Sequence, residues 1–134
     1  MTRYLLDTNI LSDLLRRPKG SVRERIDARG GAEFVCTSII VAAELRFGVA
    51  KAQSVRLAAL VEGLLDRIAV EPFEAPADRV YASIRADLER RGRRIGGNDL
   101  FIAAHALALD CVLVTDNVRE FERVPDLRVE NWLR

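Results

Sequence analysis

Short apolar runs alternate along this chain with longer stretches in which apolar residues recur every three or four positions. The short runs predict β-strands, and the longer stretches predict amphipathic α-helices. Strands are predicted at residues 3–6, 33–37, 68–70, 112–115 and 127–129, and helices at 9–17, 21–29, 38–50, 54–67, 78–91, 98–109 and 118–121. Because strands and helices alternate, we predict a three-layer α/β/α fold with a small, mainly parallel sheet of four or five strands.

Two of the predicted strands end abruptly in a carboxylate. The apolar run at residues 4–6 is followed by Asp7, and the β-branched run at residues 112–115 is followed by Asp116. In an open α/β sheet, ligands bind at the carboxyl ends of the strands. We therefore expect Asp7 and Asp116 to meet at one edge of the sheet.

Two further acids lie on predicted helices among apolar neighbours. Glu44 has apolar residues three and four positions away on both sides, and Asp99 is similarly surrounded in the first turn of its helix. Ordinary explanations exist: Glu44 could lie at the edge of the apolar stripe and pair with Arg46, and Asp99 could cap its helix. Asp7 could likewise be a cap, and Asp116 could belong to a turn.

Taken together, the four acids favour a metal site. A parallel α/β fold brings strand ends and the following helix starts to one side of the sheet. Clustered carboxylates repel one another and destabilise a fold unless a cation lies between them. Carboxylate oxygens without His or Cys select Mg²⁺ or Mn²⁺, and such sites act on phosphate esters.

Composition limits the kind of protein further. With 134 residues, of which 49% are hydrophobic, the chain fits a single domain over residues 1–134. A net charge of +1 excludes a strongly basic nucleic-acid binder, so any basic surface must be local. Cys36 and Cys111 lie in apolar runs without metal-ligand spacing, which favours buried free thiols. No run has the length of a membrane span and no signal-peptide pattern is seen, so we expect a cytoplasmic protein.

The ordered set of motifs resembles PIN-domain ribonucleases, and more narrowly the VapC-type toxins of bacterial toxin–antitoxin pairs. The resemblance covers essentially the whole chain. The residues that carry it are Leu6-Asp7-Thr8-Asn9, Ala43-Glu44-Leu45, Asn98-Asp99-Leu100-Phe101-Ile102-Ala103-Ala104, Thr115-Asp116-Asn117 with Phe121, and Arg128-Val129-Glu130-Asn131-Trp132.

This resemblance implies a Mg²⁺- or Mn²⁺-dependent endoribonuclease that acts as a toxin. It implies three partners: an RNA substrate, a small VapB-like antitoxin that blocks the acidic pocket, and a second copy of the chain in a homodimer. The fourth acid varies within the family, which leaves open whether Asp116 binds metal directly. The implied catalytic and metal-binding acids are Asp7, Glu44, Asp99 and Asp116, with Asn9 and Thr115 as the polar groups that support them.

Other polar residues are given lesser roles. The basic stretch that includes Arg93 and Arg94 is either a solvated face or an RNA-phosphate contact. His105 is predicted to have a structural role or to lie at the surface. Trp132 is predicted to pack the C-terminal segment against the rest of the domain. We expect two more acids at the surface, Asp13 and Glu120, although Glu120 is close enough to Asp116 to serve as an outer metal ligand.

Two other functions would use the same acids. A DNA nuclease or a phosphatase differs from the ribonuclease only in substrate. A non-catalytic, receiver-like phosphoacceptor would need paired acids after the first strand and a lysine after a late strand. Asp7 is followed by Thr8, and both lysines lie elsewhere. The ribonuclease is therefore the leading hypothesis.

Overall fold

A computed structural model describes residues 1–133 of the chain; Arg134, the last residue of the predicted 1–134 domain, lies outside the described residues. The strands are β1 (Arg3–Leu6), β2 (Val35–Ser38), β3 (Ala69–Glu71), β4 (Cys111–Val114) and β5 (Val129–Glu130). The α-helices are α1 (Thr8–Arg16), α2 (Ser21–Ala28), α3 (Ile39–Ala52), α4 (Val55–Leu65), α5 (Ala77–Arg90), α6 (Gly97–Ala108) and α7 (Val118–Phe121).

The five strands form one parallel sheet in the order β3-β2-β1-β4-β5, which confirms the predicted α/β/α class. The first strand lies at the centre, between β2 and β4. Leu6 of β1 is in register with Val114 of β4. The residues that follow these two strands are therefore neighbours at the carboxyl edge of the sheet.

The central strands are largely apolar and buried, as expected for a sheet covered on both faces. The polar residues at the end of β2, Thr37 and Ser38, are buried with hydrogen-bond partners. Leu5 and Leu6 are fully buried, and every residue of β2 and β4 is buried. Removing a leucine side chain from water stabilises a fold by about 1.5–3 kcal/mol. Burial of this central trio of strands fixes the position of the carboxyl edge.

The observed boundaries differ little from the predicted ones. β2 begins two residues later than predicted because residues 32–34 form a short 3-10 turn. Helices α3 and α4 pack against each other as a hairpin, and Gln53 ends α3 in the left-handed conformation with φ of 53°. The last strand is confined to Val129–Glu130 instead of residues 127–129.

The prediction that Asp13 lies at the surface is wrong, because this residue is only 1% exposed. Nε of Arg17 donates a hydrogen bond to its Oδ1 over 3.0 Å. Trp132 is fully buried, which confirms that it packs the C-terminal segment. Cys36 and Cys111 are buried and free, also as predicted.

Among residues 1–133, no helix is long and apolar enough to cross a membrane.

Candidate active site

Asp7 is held rigidly at the carboxyl edge of the sheet. Its backbone N–H donates to the carbonyl of Val114 over 2.9 Å, which extends the pairing of β1 and β4 by one residue. Its Oδ1 accepts the N–H of Thr8 at 2.8 Å and so caps α1, and its Oδ2 accepts the hydroxyl of Thr115 at 2.8 Å. The side chain is only 5% exposed. Thr115 thus supports Asp7 from the neighbouring strand.

The surroundings of Asp7 oppose its negative charge. Burial raises the pKa of the Asp7 carboxyl, the hydrogen bonds from Thr115 and Thr8 lower it, and the charges of Glu44 and Asp116 raise it further. The net shift is upward. A carboxylate in this position is stabilised by a nearby cation.

Glu44 faces the same region from α3. Ser38 caps that helix through a hydrogen bond from the N–H of Ile40, and the half-buried Glu44 lies in its second turn. Oε1 of Glu44 accepts the hydroxyl of Thr8 at 2.6 Å, and Oε2 accepts Nδ2 of Asn98 at 3.3 Å. The alternative pairing of Glu44 with Arg46 is not seen, because Arg46 is paired with Glu62.

Asp99 is the third residue of α6 and shares a proton with Glu120. Burial, the hydrogen bond to Glu120 and the charges of Glu120, Asp7 and Glu44 raise the pKa of Asp99 to about 7. The same hydrogen bond lowers the pKa of Glu120. In the absence of a cation, Asp99 is therefore the member of the pair that is protonated first as the pH falls.

Glu120 is half-buried beside the cavity, a position that agrees with the alternative role of an outer metal ligand more than with that of an isolated surface acid. Its Oε1 accepts the N–H of Gly96 at 2.7 Å, and its Oε2 accepts Nδ2 of Asn117 at 2.7 Å. The signal for this role was its place on the short helix that starts directly after β4. There it lies one turn beyond Asn117 and faces the start of α6.

Asp116 lies at the rim of the site. Its side chain is exposed, and its Oδ1 accepts a hydrogen bond from Nδ2 of Asn9. The Oδ1 atom of Asn9 is buried without a hydrogen-bond partner. Asn117, the next residue, reaches the region of Asp99, with Nδ2 at 3.5 Å from Oδ2.

A cavity of about 430 Å³ lies where these side chains meet. Three of its lining residues are acids and one is a cation. The remainder are small polar side chains, so the lining as a whole is suited to polar ligands. The full lining is Asp7, Thr8, Asn9, Ser12, Arg16, Glu44, Asp99 and Asn117.

The donor set of this cavity fits Mg²⁺ or Mn²⁺. It offers carboxylate and amide oxygens and neither sulfur nor imidazole, the ligand type that hard cations prefer. Within residues 1–133, no three Asp, Glu, His or Cys side chains are arranged to hold an ion as they stand. Glu44 and Asp99 are turned towards Thr8 and Glu120 instead. The raised pKa values of Asp7 and Asp99 and the unpartnered oxygen of Asn9 are what a cation would relieve.

Arg93 and Arg94 line a different cavity, of about 490 Å³, together with Gly92 and Arg123. Nη1 of Arg123 donates to the carbonyl of Arg94 over 2.8 Å, which ties this loop to the segment after α7. The structure therefore separates these arginines from the acids. His105 is 1% exposed, with Nδ1 at 2.7 Å from the Ser38 hydroxyl, so it occupies a structural position.

Comparison with known proteins gives a consistent result. The profile of the PIN domain family matches residues 4–127. The chain is 41% identical to the tRNA(fMet)-specific endonuclease VapC of Shigella flexneri, over 98% of this chain and 99% of that protein. It is 37% identical to Ribonuclease VapC2 of Haemophilus influenzae, over 99% of this chain and 100% of that protein.

The fold of the chain is also similar to the folds of solved structures. The DNA-bound VapBC of Salmonella typhimurium superposes with a TM-score of 0.89 at 36% identity, covering 98% of this chain and 99% of that one. VapBC2 of Rickettsia felis, bound to a DNA fragment from its promoter, gives 0.87 at 35% identity and the same coverage. The chain thus belongs to the PIN-domain family and, within it, to the VapC group of ribonucleases.

Proposed function

We propose that this chain is the endoribonuclease toxin of a toxin–antitoxin pair and that it hydrolyses RNA at Asp7, Glu44 and Asp99. One observation carries the assignment of the site. Three carboxyl groups, two of them with raised pKa values, face one polar cavity at the carboxyl ends of β1 and β4. The function itself follows from the identity of the chain with VapC ribonucleases over nearly its whole length.

Asp7, Glu44, Asp99 and, from the rim, Asp116 are the residues that would hold Mg²⁺ or Mn²⁺. When bound, such a cation polarises the phosphodiester and lowers the pKa of the attacking water. Asp7 is already fixed by Thr8 and Thr115, so its carboxylate needs little reorganisation. Asn9 and Asn117 can orient the carboxylates of Asp116 and Asp99, which they contact.

Asp99 and Glu44 would contribute to the site in different ways. The raised pKa of Asp99 means that a larger fraction of this carboxyl must lose its proton before it can serve as an anionic ligand. Glu44 lines the cavity and is held by a hydroxyl and an amide, not by a cation. Glu44 thus completes the site in one of two ways, as a ligand of the cation or as the group that orients the attacking water.

Transfer RNA is the first substrate class to test. The relative from Shigella flexneri is named for its specificity for tRNA(fMet), so initiator tRNA is a reasonable first RNA for this chain. The loop that carries Arg93 and Arg94 supplies a basic surface separate from the acids and is a candidate contact for other parts of the RNA.

A VapB-like antitoxin is the expected protein partner, since the superposed relatives are VapBC complexes. An apolar groove of about 460 Å³ between α1, α2 and α4 is a suitable surface for it, lined in part by Leu14, Ile26 and Leu60. The groove and the acidic cavity both use α1. A partner in this groove would contact the helix that carries Thr8 and Asn9.

The exposed Phe47 and Val55 offer a further apolar surface for the expected homodimer.

The decisive experiment measures cleavage of initiator tRNA with Mg²⁺ or Mn²⁺ by the parent protein and by Asp7→Asn and Asp99→Asn variants. We expect each substitution to reduce kcat/KM by about 100-fold or more, since each removes a proposed ligand. Asp66→Asn, at an exposed acid outside the cavity, is the matched control and should cleave like the parent.

Equal cleavage by the parent and both site variants would refute the assignment of the site. The same preparation should be assayed on flap DNA and on a phosphomonoester. Preferential hydrolysis of either of these would replace the ribonuclease with a DNA nuclease or a phosphatase. EDTA should abolish RNA cleavage, and added Mg²⁺ or Mn²⁺ should restore it.

The two free thiols agree with a reducing, cytoplasmic location, which fractionation of cells can test.

A further inference from the structure

Arg16 is the cation that lines the acidic cavity. Among the residues described for this cavity, the other lining side chains are acidic or neutral. The Arg16 side chain is 68% exposed and so is free to move in solvent. A cation beside three carboxylates has two explanations: it balances the acids, or it contacts an anionic ligand that enters with the metal.

The position of Arg16 on α1 favours the second explanation. Thr8, Ser12 and Arg16 are spaced four residues apart and form one polar stripe along the cavity. The opposite side of α1 is buried through Ile10 and Leu11. At 1.5 Å per residue, the stripe extends about 12 Å from Thr8, beside the acids, to Arg16. Arg16 therefore stands at the far end of the cavity and contacts none of the carboxylates that line it.

The neighbouring arginine leaves Arg16 available for a ligand. Arg17 donates to the buried Asp13 from Nε at 3.0 Å and also from Nη2. Nη2 of Arg16 forms only a long ion pair with the same carboxylate oxygen, at 3.9 Å, a distance at which no hydrogen bond is made. The charge of Asp13 is thus neutralised by Arg17. Removal of Arg16 would not leave a buried charge without a partner.

We propose that Arg16 binds a phosphate of the RNA strand that flanks the scissile phosphate. This inference rests on the proposed ribonuclease function. The scissile phosphate must lie at the acids, and an arginine side chain spans only part of the stripe from Arg16 to Thr8. A guanidinium binds phosphate through two parallel hydrogen bonds. The acids of the cavity repel an anionic RNA strand, and a positive charge at the far end offsets this repulsion. Ser12, between the two ends, can donate its hydroxyl to the same strand.

The test measures binding of fluorescently labelled initiator tRNA in an inactive Asp99→Asn background over a series of KCl concentrations. Arg16→Gln should weaken binding roughly tenfold, the scale of one charge-assisted hydrogen-bond contact. The slope of log Kd against log salt should fall by roughly 0.7–0.9, the value for one phosphate contact. Arg16→Lys should keep the salt slope and lose part of the affinity. Arg56→Gln, at an exposed arginine of α4 outside the cavity, is the control and should match the parent.

Kinetics with the active protein separate a flanking contact from a catalytic one. Arg16→Gln should raise KM while kcat stays within about threefold, because a flanking phosphate is bound equally in the ground and transition states. Binding and salt slope unchanged by Arg16→Gln would overturn the inference, and so would a fall in kcat at constant KM. If the parent cleaves RNA and only the Arg16 results fail, the ribonuclease proposal stands. If the parent neither binds nor cleaves RNA, both are refuted.

Discussion

Asp7 combines two roles whose energetic effects oppose each other. Its carboxylate caps α1 through the N–H of Thr8, which stabilises that helix by about 1 kcal/mol. Its charge is nevertheless buried beside Glu44 and Asp116, which raises its pKa. Asparagine at this position would keep a capping oxygen and remove the repulsion. Loss of activity in Asp7→Asn should therefore reflect the missing charge, not unfolding.

Asp99 should make the metal-free protein less stable as the pH rises. Its pKa is raised from 3.8 to about 7 by burial and by the hydrogen bond to Glu120, so the folded state holds a proton that the unfolded state has lost. Stability from this group is complete below about pH 4 and is lost as the pH rises through 7. Asp99→Asn should be as stable as the parent at pH 4 and more stable at pH 8. We expect a difference of roughly 1–2 kcal/mol, reduced from the full shift by solvent screening.

Urea unfolding in EDTA at several pH values measures this difference, with Asp66→Asn as the control whose difference from the parent stays constant. A parent and Asp99→Asn that have parallel stability curves would contradict the proposed proton sharing with Glu120.

Arg17 should contribute far more to stability than Arg16. Arg17→Gln leaves the carboxylate of Asp13, which is 1% exposed, without its main partner. Because the Arg17 side chain is 68% exposed, loss of its hydrogen bonds to the buried carboxylate costs about 1–3 kcal/mol. Urea unfolding should give a loss of that order for Arg17→Gln and a small one for Arg16→Gln. Equal losses for the two would show that both arginines neutralise Asp13.

At the scale of elements, the two helices that carry Glu44 and Asp99 are joined through one buried contact. The hydroxyl of Ser38 accepts the N–H of Ile40 at the start of α3 and lies 2.7 Å from Nδ1 of His105 on α6. Burial lowers the pKa of His105, so the folded protein favours the neutral imidazole. The contact joins the helix that carries Glu44 to the helix that carries Asp99.

Ser38→Ala should therefore cost more than the loss of a helix cap. Ser54→Ala is the matched comparison, because Ser54 caps α4 through the N–H of Leu57 and has no described histidine contact. We expect about 1 kcal/mol for Ser54→Ala. Ser38→Ala should cost roughly 2–4 kcal/mol, since it also leaves a buried imidazole nitrogen without its partner. Thermal or urea unfolding measures both, and equal losses would argue against the link to His105.

Most elements were predictable from sequence because their apolar periodicity is strong. The site was less predictable at the turn after β4. Successive side chains of an extended segment point to opposite sides, so Thr115 faces Asp7 and Asp116 points outwards to the rim. Asn117 returns to the cavity instead. The place of Glu120 on the helix after β4 signals that it lies near Asp116, but its contact with the start of α6 depends on how α7 packs, a tertiary relation that the local sequence does not give.

At the scale of the molecule, the order of the strands follows from neither periodicity nor composition. The sequence predicts which segments are strands, but long-range packing decides that β1 lies between β2 and β4. The same order explains why Cys36 and Cys111 are near each other. They lie on the two strands that flank β1, with their sulfur atoms 3.9 Å apart.

This arrangement predicts that the two thiols resist crosslinking. Strands separated by one intervening strand are about 9.6 Å apart, whereas a disulfide requires Cα atoms within about 7 Å. The hydrogen bond to Cys111 and burial also raise the pKa of the Cys36 thiol, which disfavours the reactive thiolate. After treatment with diamide, intact mass spectrometry should show no loss of two hydrogens, and both thiols should react once the protein is denatured. A native protein two mass units lighter would contradict this.

The pairing of β1 with β4 also has a consequence for synthesis. Asp7 is joined to Thr115 by a hydrogen bond that connects residues 108 positions apart, and Asp99 and Asn117 line the cavity from the same late part of the chain. Contacts of such long sequence separation form late in folding. A nascent chain on the ribosome therefore has no complete acidic cavity until β4 and the turn after it have been translated, and a prematurely terminated product that ends before β4 would be inactive. A nuclease built in this way becomes capable of cutting RNA only after both β1 and β4 have left the ribosome.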